Sequence, residues 1–171
     1  MIEPGRWIRW GVMLAILVSC LGCDQATKRL AIEQLKGTPP RSYLGDTVRL
    51  QYAENPGAFL GLGGDLSPAA RWVALVLFNG VLALAIGGVL VWNRGLSVAS
   101  AAACALLLSG AVGNLIDRVR FDGLVIDFLN LGVGPLRTGI FNVADVAITL
   151  GAVLLVLPSF TSHETAPEPK S

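Results

Sequence analysis

The sequence predicts an all-α membrane protein with four transmembrane helices. Three observations carry that prediction. Of 171 residues, 53% are apolar and only 15% are charged, with a mean hydropathy of +0.63, whereas soluble domains carry about 25% charged residues. No Asp, Glu, Lys or Arg lies between Arg71 and Arg94, between Arg94 and Asp117, or between Asp145 and Glu164. Each gap is close to the roughly 20 residues a helix needs to cross the hydrocarbon core. Trp7, Trp10, Trp72 and Trp92 fall near the expected helix ends, where an aromatic belt sits. The composition excludes a disordered chain. A net charge of +1 without a basic stripe excludes nucleic acid as a partner.

Helix 1 is expected over residues 9–30. Its apolar run, Trp10 to Cys23, is short and borrows from both flanks, with Arg9 and Lys28 free to snorkel outward. A long connection over 31–69 follows. In it Val48, Leu50 and Tyr52 alternate with Arg49 and Gln51, the pattern of a short strand, leading into a turn at Asn55-Pro56-Gly57-Ala58-Phe59. Helices 2 and 3 are expected over 70–93 and 96–117, as a hairpin closed by Asn93–Gly95. A second connection, 118–140, precedes helix 4 over 141–160. Residues 1–160 form one four-span domain, and the polar tail 161–171 is expected to be disordered.

An even number of spans places both termini on one side. With that side inside, Arg6, Arg9, Arg94 and Lys170 lie inside and the other basic residues outside. A bare positive-inside count favours the reverse orientation. The leading flank of helix 1, with Arg6 and Arg9, favours the N-terminus inside, and that orientation is adopted.

Two N-terminal motifs have competing readings. Leu17-Val18-Ser19-Cys20 behind a basic, apolar leader has the form of a lipobox, which would make the chain a lipoprotein cut before Cys20. A first span that happens to contain a cysteine accounts for the same residues, and three further spans favour it. Cys20-Leu21-Gly22-Cys23 lacks the strand–helix context of a redox motif. Cys20, Cys23 and Cys104 are therefore expected to be small apolar helix residues.

The only histidine, His163, lies in the tail. That removes Ser-His-Asp triads and histidine metal motifs. No metal and no cofactor are expected. The candidate chemistry is carboxylate chemistry. Asp145 lies near the start of helix 4, and an ionisable residue there marks function by default, the alternative being polar glue between helices. Asn142 is three residues away, on the same face if both are helical. Asp127 sits in the apolar run Leu124–Leu129, which desolvates it and raises its pKa; the alternative is a surface charge on a membrane-skimming segment. Asn114, Asp117 and Arg118 share a face at the end of helix 3, where Gly110 and Gly113 permit close packing. A local Asp117–Arg118 pair is the structural alternative. Asp24 and Lys28 have the spacing of a helical ion pair. A small transporter or scaffold with buried aspartates remains compatible with these residues taken singly.

Taken in order, the blocks are specific. Asp24-Gln25-x-x-Lys28, Asn55-x-Gly57-Ala58-Phe59, Gly110-x-x-Gly113-Asn114-x-x-Asp117-Arg118, Val125-Ile126-Asp127-Phe128 and Phe141-Asn142-x-Ala144-Asp145 together resemble the lipoprotein signal peptidase family, signal peptidase II. The chain departs from the family pattern at Ser109, at Pro56 and at Arg137-Thr138-Gly139-Ile140, where a Trp-Pro is common. The resemblance implies a bacterial aspartyl endopeptidase of the inner membrane, with both termini cytoplasmic and the active site near the outer face. It implies that Asp127 and Asp145 are the catalytic pair. Asn55, Asn114, Arg118, Asn142 and Gly110 would line the site, and Asp24 and Lys28 would support it. It implies a small extramembrane sheet over 44–62 and an interfacial flap over 119–138. The implied partners are membrane lipids and diacylglyceryl-modified prolipoproteins, cut just before the lipidated cysteine.

Overall fold

The computed structural model describes residues 4–57 and 67–161. Ala58 and Phe59, and the tail beyond residue 161, lie outside the described residues. Four helices, α1 (Pro4–Leu35), α2 (Pro68–Trp92), α3 (Val98–Arg120) and α4 (Val143–Thr161), are joined by strands β1 (Arg41–Tyr43), β2 (Val48–Asn55), β3 (Val125–Val133) and β4 (Leu136–Arg137). Three helices contain apolar stretches long enough to span a bilayer, Trp7–Leu35, Ala69–Trp92 and Val98–Arg120, and α4 is apolar over Val143–Val156. Large apolar side chains such as Leu77, Phe78, Val81, Leu84, Leu154 and Val156 point outward. Such a surface is stable only in a lipid solvent.

α1 outruns its expected limits at both ends. Lys28 does not snorkel; its buried charge is met inside the bundle, so the helix continues to Leu35. There the Thr38 hydroxyl donates to the Leu35 carbonyl and Gly37 turns the chain at a φ of +76°. Arg9 does not snorkel either. It is buried and donates from Nη1 to the carbonyls of Asn93 and Arg94, at 3.3 and 3.0 Å, closing the α2–α3 turn. The start of α1 and that turn therefore share one end of the bundle. Serines start the next two helices: Ser67 accepts from the Ala70 amide and Ser97 from the Ser100 amide.

α3 is the central helix. Its buried face is built from small residues, Ala101, Ala103, Ala105, Ser109, Gly110, Ala111 and Gly113. A β-carbon on Gly110 would sit 2.6 Å from Ile148 Cγ1, and one on Gly113 would sit 2.6 Å from Asp24 Oδ2. With lipid tails as apolar as leucine, close backbone packing of this kind holds membrane helices together. Met13 in α1, Leu90 in α2 and Cys104 in α3 form one apolar cluster. α1 runs unbroken through Cys20, so the residues before that cysteine are part of the packed bundle.

The sheet is a single four-stranded antiparallel unit in the order β1-β2-β3-β4. The strand expected from the Val48–Tyr52 alternation is β2. Its partner is the segment after α3, with Leu50 opposite Leu129, Ala53 opposite Asp127 and Asn55 opposite Val125. The sheet between helices 1 and 2 and the flap between helices 3 and 4 are thus joined. A bulge between Leu50 and Ala53 shifts the register ahead of Asp127.

Candidate functional site

The site is assembled at the end of the bundle remote from Arg9, by four segments. The start of α4 is fixed first. Phe141 still pairs with Leu129 of β3, so the helix begins at Val143 and not at the expected residue 141. Asn142 is the residue before the helix. Its Oδ1 accepts from the Asp145 amide at 3.0 Å, and Asp145 Oδ2 accepts from the Asn142 amide at 3.1 Å. This is a capping box closed by asparagine and aspartate. The three-residue spacing that suggested a shared helical face is the spacing of a cap. The amide of Ala144, between them, donates to Asp24 Oδ1 of α1 at 2.9 Å. Two carboxylates thus face the positive end of α4.

Asp127 enters from β3. Its Oδ1 accepts from Asn142 Nδ2 at 2.6 Å and its Oδ2 from Asn55 Nδ2 at 2.9 Å. Asn142, wholly buried, therefore touches both Asp127 and Asp145. Asn114 of α3 donates to Asp145 Oδ1 at 3.0 Å and accepts from Lys28 Nζ at 3.0 Å. Every direct partner of the two carboxylates among the described residues is an amide; no cation pairs with either. Burial and the nearby charge of Asp145 push the Asp127 carboxyl up to about 7, against the hydrogen bonds from Asn55 and Asn142.

Lys28 sits below, in a different environment. Its ammonium lies 2.9 Å from Asp24 Oδ2 and 3.0 Å from Asp117 Oδ2, with all three side chains at most 3% exposed. The Asp24–Lys28 spacing is thus one edge of a buried triad and not a surface pair. Gln25 donates to Asp24, to the Gly113 carbonyl and to Asp117 Oδ1. Asp117 Oδ2 also accepts from the Ile126 amide at 3.0 Å, which tethers the residue before Asp127. Gln25 and Asp117 were absent from the expected site. Asp117's signal was its three-residue spacing from Asn114 at the end of a charge-free helix; Gln25 had none beyond its place in the first block.

Arg118 does not pair with Asp117. Its Nη2 donates to the Gly57 carbonyl at 2.9 Å and its Nη1 to the Asn114 carbonyl at 3.3 Å, while its buried Nε has no partner. The Gly57 amide in turn donates to Asn55 Oδ1. Arg118 therefore holds the turn that aims Asn55 at Asp127. Gly110 lines the α3–α4 contact against Ile148 and makes no polar contact with the carboxylates. In the segment that lacks Trp-Pro, Arg137 ties β4 to Asn130 and to the Asp46 carbonyl, away from the carboxylates. Among the described residues no cluster of His, Cys, Asp and Glu could hold a metal ion.

A polytopic membrane helix bundle capped by a small sheet, with two amide-bound aspartates at their junction, defines a membrane protein with a polar site at one end of its bundle. The family described as "Signal peptidase (SPase) II" matches residues 16–161. The lipoprotein signal peptidase of Sphingopyxis alaskensis is 37% identical, over 94% of this chain and 90% of its own length. That of Moorella thermoacetica is 36% identical, over 84% and 88%, and that of Streptomyces griseus 32%, over 86% and 72%. A solved bacterial membrane enzyme superimposes with a TM-score of 0.78 at 26% identity, covering 94% of this chain and 95% of the other. The chain belongs to the signal peptidase II family, and its activity is that of a membrane aspartic endopeptidase.

Proposed function

We propose that this enzyme cleaves diacylglyceryl-modified prolipoproteins just before the lipidated cysteine, with Asp127 and Asp145 as its catalytic pair. The observation that carries the assignment is Asn142, which bonds both carboxylates while, among the described residues, no cation pairs with either. Two carboxylates bridged by one asparagine, one of them buried, do not both ionise readily, and one keeps a proton. Asp145 stands in the first turn of α4, whose positive end favours an anion there. Asp127, pushed up to about 7, is the better acid. Asp145 takes a proton from water as the water oxygen attacks the scissile carbonyl. Asp127 gives its proton to the carbonyl oxygen. Collapse of the tetrahedral intermediate breaks the C–N bond, and the amine leaves with a proton returned by the pair. Asn55, Asn114 and Asn142 keep both carboxylates aimed, with Arg118 holding the Asn55 turn and Asp24 and Lys28 holding the helices.

The same reading places residues 1–160 as one domain in the bacterial inner membrane, with both termini cytoplasmic and the carboxylates near the outer face. The Arg9 clamp supports it, since it puts the start of α1 and the α2–α3 turn at the end opposite the sheet. The deciding experiment incubates the purified chain with a lipidated prolipoprotein and weighs the products. A product beginning at the modified cysteine is expected. An intact precursor, or cleavage of the unlipidated form at the same rate, overturns the assignment. A reporter fused after Ser171 should be active in the cytoplasm, and a cysteine placed at Thr47 should be labelled from outside.

A further inference from the structure

An open recess lies on the other face of β3. Ala31 and Leu35 of α1 pack on Phe128 of β3 and Leu50 of β2, and a groove of about 230 Å³ runs over them, lined also by Leu30, Gln34 and Arg41. The level of this groove is set by α1. Leu30 is half-exposed, and the charged pair Arg29–Glu33 is exposed beside it. An apolar and a charged surface on one helical turn mark the boundary between acyl chains and headgroups. The basic residues nearby are already neutralised, Arg29 by Glu33 and Lys36 by Glu54, at 2.9 Å each. Arg41 is not. Its Nη2 donates to the Gln34 carbonyl at 3.0 Å, and among the described residues no carboxylate pairs with it.

We propose that this groove is a binding site for an anionic phospholipid of the surrounding bilayer. One acyl chain lies over Leu30, Leu50 and Phe128, and the phosphate accepts from the free donors of Arg41. A guanidinium suits this role because its planar fork matches phosphate oxygens. Side chains alternate along a strand, so Phe128 and Asp127 lie on opposite faces of β3. A lipid on the substrate's cysteine starts at Asp127 and would have to cross the strand to enter the groove. The bilayer lipid enters directly.

The test uses the full chain in detergent micelles, titrated with phosphatidylglycerol or phosphatidylcholine, with retained lipid counted by native mass spectrometry. Phosphatidylglycerol should be retained roughly five-fold better, the preference expected of one cation near a lipid headgroup. Arg41→Gln should erase the preference, and Gln34→Trp, which plugs the mouth, should lower retention of both lipids. Both positions are exposed, so neither substitution disturbs the buried packing. Equal retention of the two lipids overturns the proposal, as does a preference that survives Arg41→Gln or retention indifferent to Gln34→Trp. Displacement of phosphatidylglycerol by a lipidated substrate peptide overturns it too, and assigns the groove to the substrate. Binding is read without any cleavage step, so failure here leaves the peptidase reading standing.

Discussion

The Lys28 triad and the Asp127–Asp145 pair share Asn114 as a neighbour, yet they balance charge in different ways. In the triad, one ammonium meets two carboxylates at 2.9 and 3.0 Å, and the second oxygens of Asp24 and Asp117 accept from the Ala144 amide and from Gln25. All three charges are buried and one ammonium is shared by both carboxylates, so the cluster fixes three elements in one geometry. In the pair, among the described residues, two carboxylates are held by amides alone. Amides position a carboxylate without cancelling its charge, so the pair keeps an unresolved repulsion that only a proton relieves. The first arrangement suits a structural pin and the second suits acid–base chemistry.

The comparison breaks most visibly if the pair is made neutral. Asp127→Asn and Asp145→Asn should each lower cleavage by roughly a thousand-fold or more, as removal of a catalytic group does. Thermal unfolding in detergent should stay near that of the parent or, for Asp127→Asn, rise. Near-normal turnover in either variant removes the pair from the mechanism.

The opposite signature is expected of the triad. Lys28→Met leaves Asp24 and Asp117 buried without a cation, and breaking a buried pair in this way costs about 3–5 kcal/mol. A large fall in unfolding temperature should accompany it. Adding Asp24→Asn should recover part of that fall. Unchanged stability in Lys28→Met would show that the triad pins nothing.

The pH profile sharpens the same contrast. Asp127 in the folded chain holds its proton up to about 7, whereas the ordinary value is 3.8. Between those two values the folded state binds more protons than the unfolded state, so the Asp127 contribution to stability falls as pH rises across that window. Cleavage should decline as pH rises above about 7, when the acid of the pair is lost. A rate that keeps climbing through pH 9 would rule out Asp127 as the acid.

Arg118→Lys should lower activity roughly ten-fold, because an ammonium cannot serve the Gly57 and Asn114 carbonyls as a planar fork does. Full activity would make Arg118 dispensable to the Asn55 turn. The smallest effect belongs to Asp46, which is held well below the usual carboxylate range mainly by its hydrogen bond from Arg49, with Ser42 and Arg137 adding to it. That cluster is exposed and wet, so Asp46→Asn should shift the unfolding temperature only slightly, and less still in high salt.

Much of this site was legible in the sequence because membrane helices make polar residues conspicuous. A carboxylate in an apolar stretch needs a reason, and Asp127 and Asp145 stand out on that ground, whereas Asp24 and Asp117 are marked by their spacing to Lys28 and to Asn114. The spans were legible for the same reason, since their charge-free lengths approach the bilayer thickness. What the one-dimensional pattern could not carry was the identity of partners. Asn142 and Asp145 stand three apart whether they share a helix face or form a cap, and only the Phe141–Leu129 bridge, which delays the start of α4, decides for the cap. Asp117 stands beside Arg118, and adjacency suggested that pair; in a helix, neighbours point about 100° apart, and Asp117 turns to Lys28 instead.

By itself the sequence determined the apolar helices, the apolar surface offered to lipid, the strand at Val48–Tyr52 and the carboxylates set among apolar residues. Those properties follow from composition and spacing along one helix or strand, where the physics is local. Only the tertiary structure decided that 125–133 pairs with β2 to make one sheet, that Asp24 reaches the start of α4 across the bundle, and that Lys28 serves two carboxylates while Asp127 and Asp145 receive none of its charge directly. Those outcomes depend on contacts between residues as far as 120 positions apart. A buried charge is settled by whatever stands opposite it in space, and that is decided only when the helices close.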